Sequence, residues 1–350
     1  MQELKATNQF GQEFTLQDLI DSSVSNPEIR RAELMVKLRG FDTVAQNRGL
    51  AAEFYTITCP SRFHPVHSKS GKPNENYDGS SAKEANNYLQ RLWTCIRSKL
   101  DRDEIGIFGF RVAEPHHDGC PHWHMILFME PKHVKSCRQT IRHYALQESP
   151  NERGAQERRF VAKAIDPKKG SAIGYLAKYI SKNINGANLE SGIYGDCPIE
   201  TAERIDTWAS VNKIRQFQQI GGPSVTTWRE LRRLHEEQGG LVEEARSAAD
   251  ASDWAAFVEI MGGPFCGRNQ PVKLAMWHEF DKETGEVLDP VLNKYGEPAP
   301  AKIYGVICQG IITLTRFYRW VIERICSPME DFFAVSGATA PPWSTVNNCT

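Results

Sequence analysis

At 350 residues, 40% of them hydrophobic and 24% charged, the chain is long enough to bury one large core or two ordinary ones. Its 42 basic and 43 acidic side chains leave a formal charge of −1, which by itself gives no overall signal of nucleic-acid binding. Nine cysteines without a C-x-x-C pair exclude a zinc ribbon and a disulfide framework, and no apolar run is long enough to cross a bilayer.

Residues 15–48 read as helical, with Pro27 opening a turn that continues through Leu38. A strand follows at 53–58. The segment 59–81 is rich in Ser, Pro, Gly and Asn and reads as a mobile loop, its His64 and His67 as exposed loop histidines. Residues 83–100 form the strongest helix pattern, with Ala85, Leu89, Leu92, Trp93 and Ile96 at helical spacing. The run 105–112 has strand character and extends to Glu114, where Asp118-Gly119 supplies turn chemistry. A return strand opens with His122-Trp123-His124 and continues through the apolar Met125 to Met129. A helix at 134–146 and a short strand at 159–165 come next, and residues 172–183 read as an amphipathic helix. Beyond 185, residues 199–217 and 224–261 read as helical and 273–316 as short strands, with Ser224 or Thr226 able to cap the second helical stretch.

Two constellations carry chemistry. Side chains alternate along a strand, so His122 and His124 share one face while Trp123 takes the other, with Cα atoms about 6–7 Å apart. That spacing lets two neutral imidazoles converge on one divalent ion. The hairpin brings the Glu114 carboxylate beside them, a two-histidine, one-carboxylate set with positions open for water or phosphate oxygen. On the helix, Tyr175 and Tyr179 lie one turn apart, each followed three residues later by a lysine, Lys178 and Lys182. A phenol is a poor nucleophile at neutral pH because its pKa lies near 10, and a polarising cation or an adjacent ammonium is what makes it useful. A nucleotide hydrolase with three histidines on one strand is excluded, because Ile126 stands where the third would be. Basic residues concentrate at 132–142 (Lys132, Lys135, Arg138, Arg142) and 153–169 (Arg153, Arg158, Arg159, Lys163, Lys168, Lys169), which suits a phosphate backbone passing the site.

These motifs resemble the HUH endonucleases, and most closely the bacteriophage replication gene A proteins. Three stretches match in order: Phe54-Tyr55-Thr56-Ile57-Thr58-Cys59-Pro60-Ser61, the segment 114–124 with its His-hydrophobe-His core, and the Tyr-x-x-Lys pair of the helix. Residues 26–35 and the ending Val346-Asn347-Asn348-Cys349-Thr350 are also similar, so the likeness covers nearly the whole chain. Members of this type commonly carry a long region ahead of the first motif, where this chain has about fifty residues. It reads as a short member or as one trimmed at its start, with no motif residue lost.

The resemblance implies an α+β fold, a ferredoxin-like antiparallel sheet with helices on one face, added helical segments and a small β-rich C-terminal unit. The metal and DNA would use the sheet's open face, with the tyrosine helix laid against it. The implied organisation is a helical segment at 1–50, the HUH endonuclease domain at 51–190, a helical region at 191–262, the β-rich unit at 263–335 and a disordered tail at 336–350. It implies a rolling-circle replication initiator that nicks single-stranded origin DNA through a 5′-phosphotyrosine intermediate, frees a 3′-hydroxyl primer and rejoins the strand. Mg²⁺ or Mn²⁺ would be held by His122, His124 and Glu114. Tyr175 and Tyr179 would be nucleophiles, and Lys178 and Lys182 would contact phosphate or stabilise phenolate. Arg62 and Lys69 are further candidates for phosphate contact. A host replicative helicase and DNA polymerase are the expected partners, and the bacterial cytoplasm, which also suits free thiols, is the expected compartment. A relaxase, a two-tyrosine transposase and a catalytically silent origin-binding protein are the alternatives.

Overall fold

The computed structural model describes residues 4–67, 70–166, 174, 180, 184, 198–277, 301–318 and 320–324. Along the chain, β1 (Leu4–Asn8), β2 (Glu13–Thr15) and α1 (Leu16–Asp21) precede the long helix α2 (Pro27–Asn47). Then come β3 (Ala51–Thr58), α3 (Ala82–Arg102), β4 (Phe108–Pro115), β5 (Pro121–Met129), α4 (Val134–Ala145), the one-turn α5 (Ala155–Arg158) and β6 (Phe160–Ala164). Further on lie α6 (Pro198–Val211), β7 (Phe217–Ile220), α7 (Val225–Leu231), α8 (Gly240–Asp250) and α9 (Trp254–Ile260). The strands β8 (Val272–Trp277), β9 (Lys302–Cys308), β10 (Ile311–Leu314) and β11 (Trp320–Arg324) complete the described elements.

The α+β expectation holds. Contacts divide the chain into residues 30–316 and a second unit of 1–29 with 317–350. The larger unit is organised by a five-stranded sheet of order β6-β3-β5-β4-β7 with every neighbouring pair antiparallel. Its middle strand is β5, buried from Trp123 to Met129, and its sequence is apolar on both sides because both faces are covered. Odd positions face one core. There Trp123, Met125 and Leu127 meet Tyr55 and Ile57 of β3, Leu89, Trp93 and Ile96 of α3, and Cys137 and Ile141 of α4. The helix α3 is fixed at its start by a capping box, Ser81 with Glu84, and Asn86 within it accepts a hydrogen bond from Trp123 Nε1 at 3.1 Å.

Even positions face a second core, and here the structure departs from a sheet with helices on one face only. Ile126 and Phe128 of β5 pack with Leu38, Phe41 and Val44 of α2 and with Trp228, Trp254 and Phe257 of the later helices. The apolar residues of α2 recur at helical spacing, but the surface they cover lies far away in sequence. Two further readings need correction. Phe217 ends no helix: after α6, Phe217–Ile220 becomes the edge strand β7, paired with Gly109 to Val112 of β4. The stretch expected to be helical from 224 to 261 is three short helices, the first capped by Ser224, whose side chain accepts from Thr227 N.

β8, β9 and β10 form a separate three-stranded sheet of order β10-β9-β8. In the second unit, β1 pairs with β2 on one side and β11 on the other, so the N-terminal segment holds strands as well as helix, and residues 320–324 pair with it rather than with β8 to β10. The tail at 336–350 lies outside the described residues. Among the described residues no helix is long and apolar enough to cross a membrane.

Candidate metal centre

Strand register builds the site. In the β4–β5 hairpin Glu114 stands opposite His122, and Val112 opposite His124. Cross-strand partners share a face, so the carboxylate lies directly beside one imidazole and diagonally from the other. The register is set by a tight turn in which His116 N donates to Cys120 O at 2.8 Å, Asp118 Oδ1 accepts from Cys120 N at 3.0 Å, and Gly119 takes φ +82°. On the other flank Thr58 pairs with His122 and Thr56 with His124.

The resulting geometry suits a small cation. His122 Nε2 and His124 Nε2 are 2.9 Å apart, and Glu114 Oε2 lies 4.0 Å from the first and 3.8 Å from the second. A circle through these three atoms has a radius of about 2.1 Å, the usual length of a metal–imidazole or metal–carboxylate bond. Glu114 is 2% exposed and His124 8%, while His122 is half-buried, so the group is largely shielded from water. His124 Nδ1 lies 2.9 Å from Thr56 Oγ1. With Nδ1–H donating to that hydroxyl, Nε2 keeps its lone pair for an ion, the arrangement that orients metal-bound imidazoles. Ring stacking holds the planes: Phe54 lies against His124 at 5.5 Å, and His116 against His122 at 4.0 Å. Among the described residues Glu114, His122 and His124 are the one group of this kind able to hold a metal.

The other expected site residues have different fates. Tyr175, Tyr179, Lys178 and Lys182 lie outside the described residues, as do Lys69, Lys168 and Lys169. Near the tyrosines, Ile180 and Ile184 are described; both are buried in the core beneath the histidine face, with Ile126 and Phe128. The basic segment 132–142 does not border the triad: its residues belong to the turn before α4 and to α4 itself, which covers the opposite face, and Arg138 there is committed to Glu53 by two hydrogen bonds of 2.6 and 2.8 Å. Arg62 is also occupied, by Glu148 and Asp78 at 2.6 Å each, and Arg159 is 2% exposed and bonded to Glu152 and to the Glu148 carbonyl.

The family model described as bacteriophage replication gene A protein matches residues 1–187, a span that contains the whole triad. The chain belongs to that family. Among curated relatives, the replication gene A protein of Escherichia phage 186 is 43% identical over 97% of the chain and 49% of its own length. The probable replication protein P12 of Pseudoalteromonas phage PM2 is 39% identical, over 95% of the chain and 50% of its own length. A probable replication endonuclease from a prophage-like region of Salmonella paratyphi A is 33% identical, over 98% and 44%. The chain therefore spans about half the length of the curated relatives it matches. No solved structure matches it.

His64 is no exposed loop histidine. Its Nδ1 lies 2.8 Å from Asp118 Oδ2, tying the loop after β3 to the β4–β5 turn. The loop is itself braced by Asn74, whose amide donates to the carbonyls of Ser61 and His64 at 2.8 and 2.7 Å. Burial works against a charged His64, but the hydrogen bond to the Asp118 carboxylate, together with Cys120 beside it, more than offsets this and raises the imidazole to about 10. Asp118 is correspondingly lowered: burial opposes its charge, and the His64 hydrogen bond outweighs that. A histidine raised in the folded state stabilises fully below its unfolded value near 6.5 and loses that contribution as pH rises through its folded value. The stability margin of the wild type over a His64→Asn variant should therefore shrink between pH 6.5 and about 10 and vanish above it. It should also fall in acid, as Asp118 protonates. Paired thermal melts across pH 2–11 measure this, and a margin independent of pH would contradict the ion pair.

Proposed function

We propose that this chain carries the nicking and joining centre of a replication initiator that cleaves single-stranded DNA at an origin. The observation that carries the reading is the triad Glu114, His122 and His124, matched in spacing to a divalent ion and set on the central strand of a gene A family sheet. The order β6-β3-β5-β4, with α3 and α4 as the connections, is the order we read as a ferredoxin-like, HUH-type core. Relatives named as replication endonucleases favour DNA as the substrate.

In this reading His122, His124 and Glu114 hold Mg²⁺ or Mn²⁺. The bound ion supplies Lewis-acid polarisation of the scissile phosphate. Thr56 keeps His124 in the required tautomer. The hydroxyl of Tyr175 or Tyr179 attacks phosphorus, its proton passing to solvent. The bond from phosphorus to the 3′-oxygen breaks, and that oxygen takes up a proton to become the 3′-hydroxyl primer. The new tyrosyl ester conserves the phosphodiester bond, so attack by a 3′-hydroxyl reverses it and joins strands without ATP. Ile180 and Ile184, buried under the histidine face, support a tyrosine helix lying over that face. Lys178 and Lys182 would balance phosphate or phenolate charge. A host helicase and DNA polymerase would open the duplex and extend the primer.

The test is incubation with 3′-labelled random single strands and Mn²⁺, followed by denaturing electrophoresis. The wild type should give a labelled protein–DNA adduct and a Tyr175→Phe, Tyr179→Phe double variant none. Adducts that survive in the double variant would remove the tyrosine assignment.

A further inference from the structure

Beside the triad lies a second concavity that no step of this chemistry uses. It is a cleft of about 220 Å³ between the loop after β3 and the segment from Glu152 to Arg159, opening into an outer cleft of about 660 Å³. The cleft and the triad share a wall. Thr58, which lines the cleft, is the strand partner of His122, and its hydroxyl donates to the Arg158 carbonyl at 3.1 Å. His116 lines the cleft and stacks on His122 at 4.0 Å.

The charges in this cleft divide into two groups. The acids facing inward are neutralised within the fold: Glu152 accepts from the buried Arg159 and from Ser61 N at 3.1 Å, while Asp118 pairs with His64. Arg153 and Arg158 are exposed, line both clefts and make no side-chain ion pair among the described residues. The remaining counter-charge is Glu157, exposed on the outer wall. Two exposed guanidinium groups lining one groove together with His67 and His117 make a wall suited to phosphodiester oxygens. The brace of Asn74 and the His64–Asp118 pair hold that wall in shape without ligand.

We propose that this cleft is the track for the single strand next to the scissile phosphate, with Arg153 and Arg158 each gripping a backbone phosphate. The inference rests on reading the triad as a DNA-cleaving centre. It assigns to the loop after β3 and to the segment before β6 a single job, clamping the strand from two sides while β5 presents the metal ligands.

Binding of a fluorescent 20-nucleotide oligo(dT) by anisotropy, at several salt concentrations, tests this. Each lost phosphate contact lowers the magnitude of the salt slope by about 0.7 for single strands, so Arg153→Ala with Arg158→Ala should lower it by about 1.4 and weaken binding roughly tenfold or more. The same double variant should keep the wild-type Mn²⁺ affinity, because the triad is untouched, and the wild-type melting temperature, because both side chains are exposed. A matched loss of charge on the opposite face, Lys132→Ala with Lys135→Ala, should leave the slope unchanged. Equal losses in the two double variants, or none in the arginine pair, would overturn the track while leaving adduct formation and the proposed function intact. A wild type that forms no adduct and binds no oligo(dT) would overturn both.

Discussion

Replacing His124 with alanine is expected to weaken Mn²⁺ binding by roughly a hundredfold or more and to abolish covalent adducts with single-stranded DNA. The expectation follows from the position of His124 at the centre of the site. Its Nε2 is 2.9 Å from its histidine neighbour and 3.8 Å from Glu114, so its removal leaves two donors too few to define an ion position. Thr56→Val gives the graded comparison. It removes only the hydroxyl 2.9 Å from His124 Nδ1, and losses of this outer kind run between roughly 10- and 100-fold. Isothermal titration with Mn²⁺ measures both variants, and melting curves check that the sheet survives. Unchanged ion affinity in His124→Ala would place any bound metal elsewhere.

Gly109→Ala should be the most damaging single methyl addition in the sheet. Gly109 sits in β4 between Leu127 of β5 and Ile220 of β7, with φ +150°, a conformation that L side chains rarely adopt. A Cβ there would lie 1.9 Å from the Ile126 carbonyl oxygen and 2.9 Å from its carbon. Both are backbone atoms of the central strand, buried on each face, so neither can retreat. The combined strain and overlap should cost about 3 kcal/mol or more and lower the melting temperature by roughly 6–12 °C. A variant that melts within a degree or two of the wild type would show that β4 can slide to relieve the clash. Because Glu114 lies on the same strand, such a slide should also lower Mn²⁺ affinity.

The contrast between these two positions shows what local sequence can and cannot carry. The triad was legible because its three members lie within one hairpin, where alternation and a tight turn fix their relation. The helix at 83–100 and the strands near 53–58 and 122–129 were legible for the same reason, since each repeats its own period over several residues. What failed to show was long-range. Phe217-Gln218-Gln219-Ile220 has no alternating pattern and becomes a strand only because β4 offers it an edge. The helical character of α2 was legible, but its burial beneath the histidine face depends on residues more than sixty positions away. His64 looked exposed because its partner, Asp118, lies 54 residues on. The basic segment 132–142 was misjudged because charge density in sequence does not reveal which side of a sheet a helix will cover.

His122 and His124 occupy the middle strand of five, with a hydrogen-bonded neighbour on each side and a packed core along most of each face. Exposing either backbone amide therefore requires the same cooperative opening that dismantles the sheet. The conformational entropy of gathering the donors is already lost when the chain folds, so an ion arriving at the triad has no segment left to order. A centre built in this way would take up or release a cation without the protein having to refold around it.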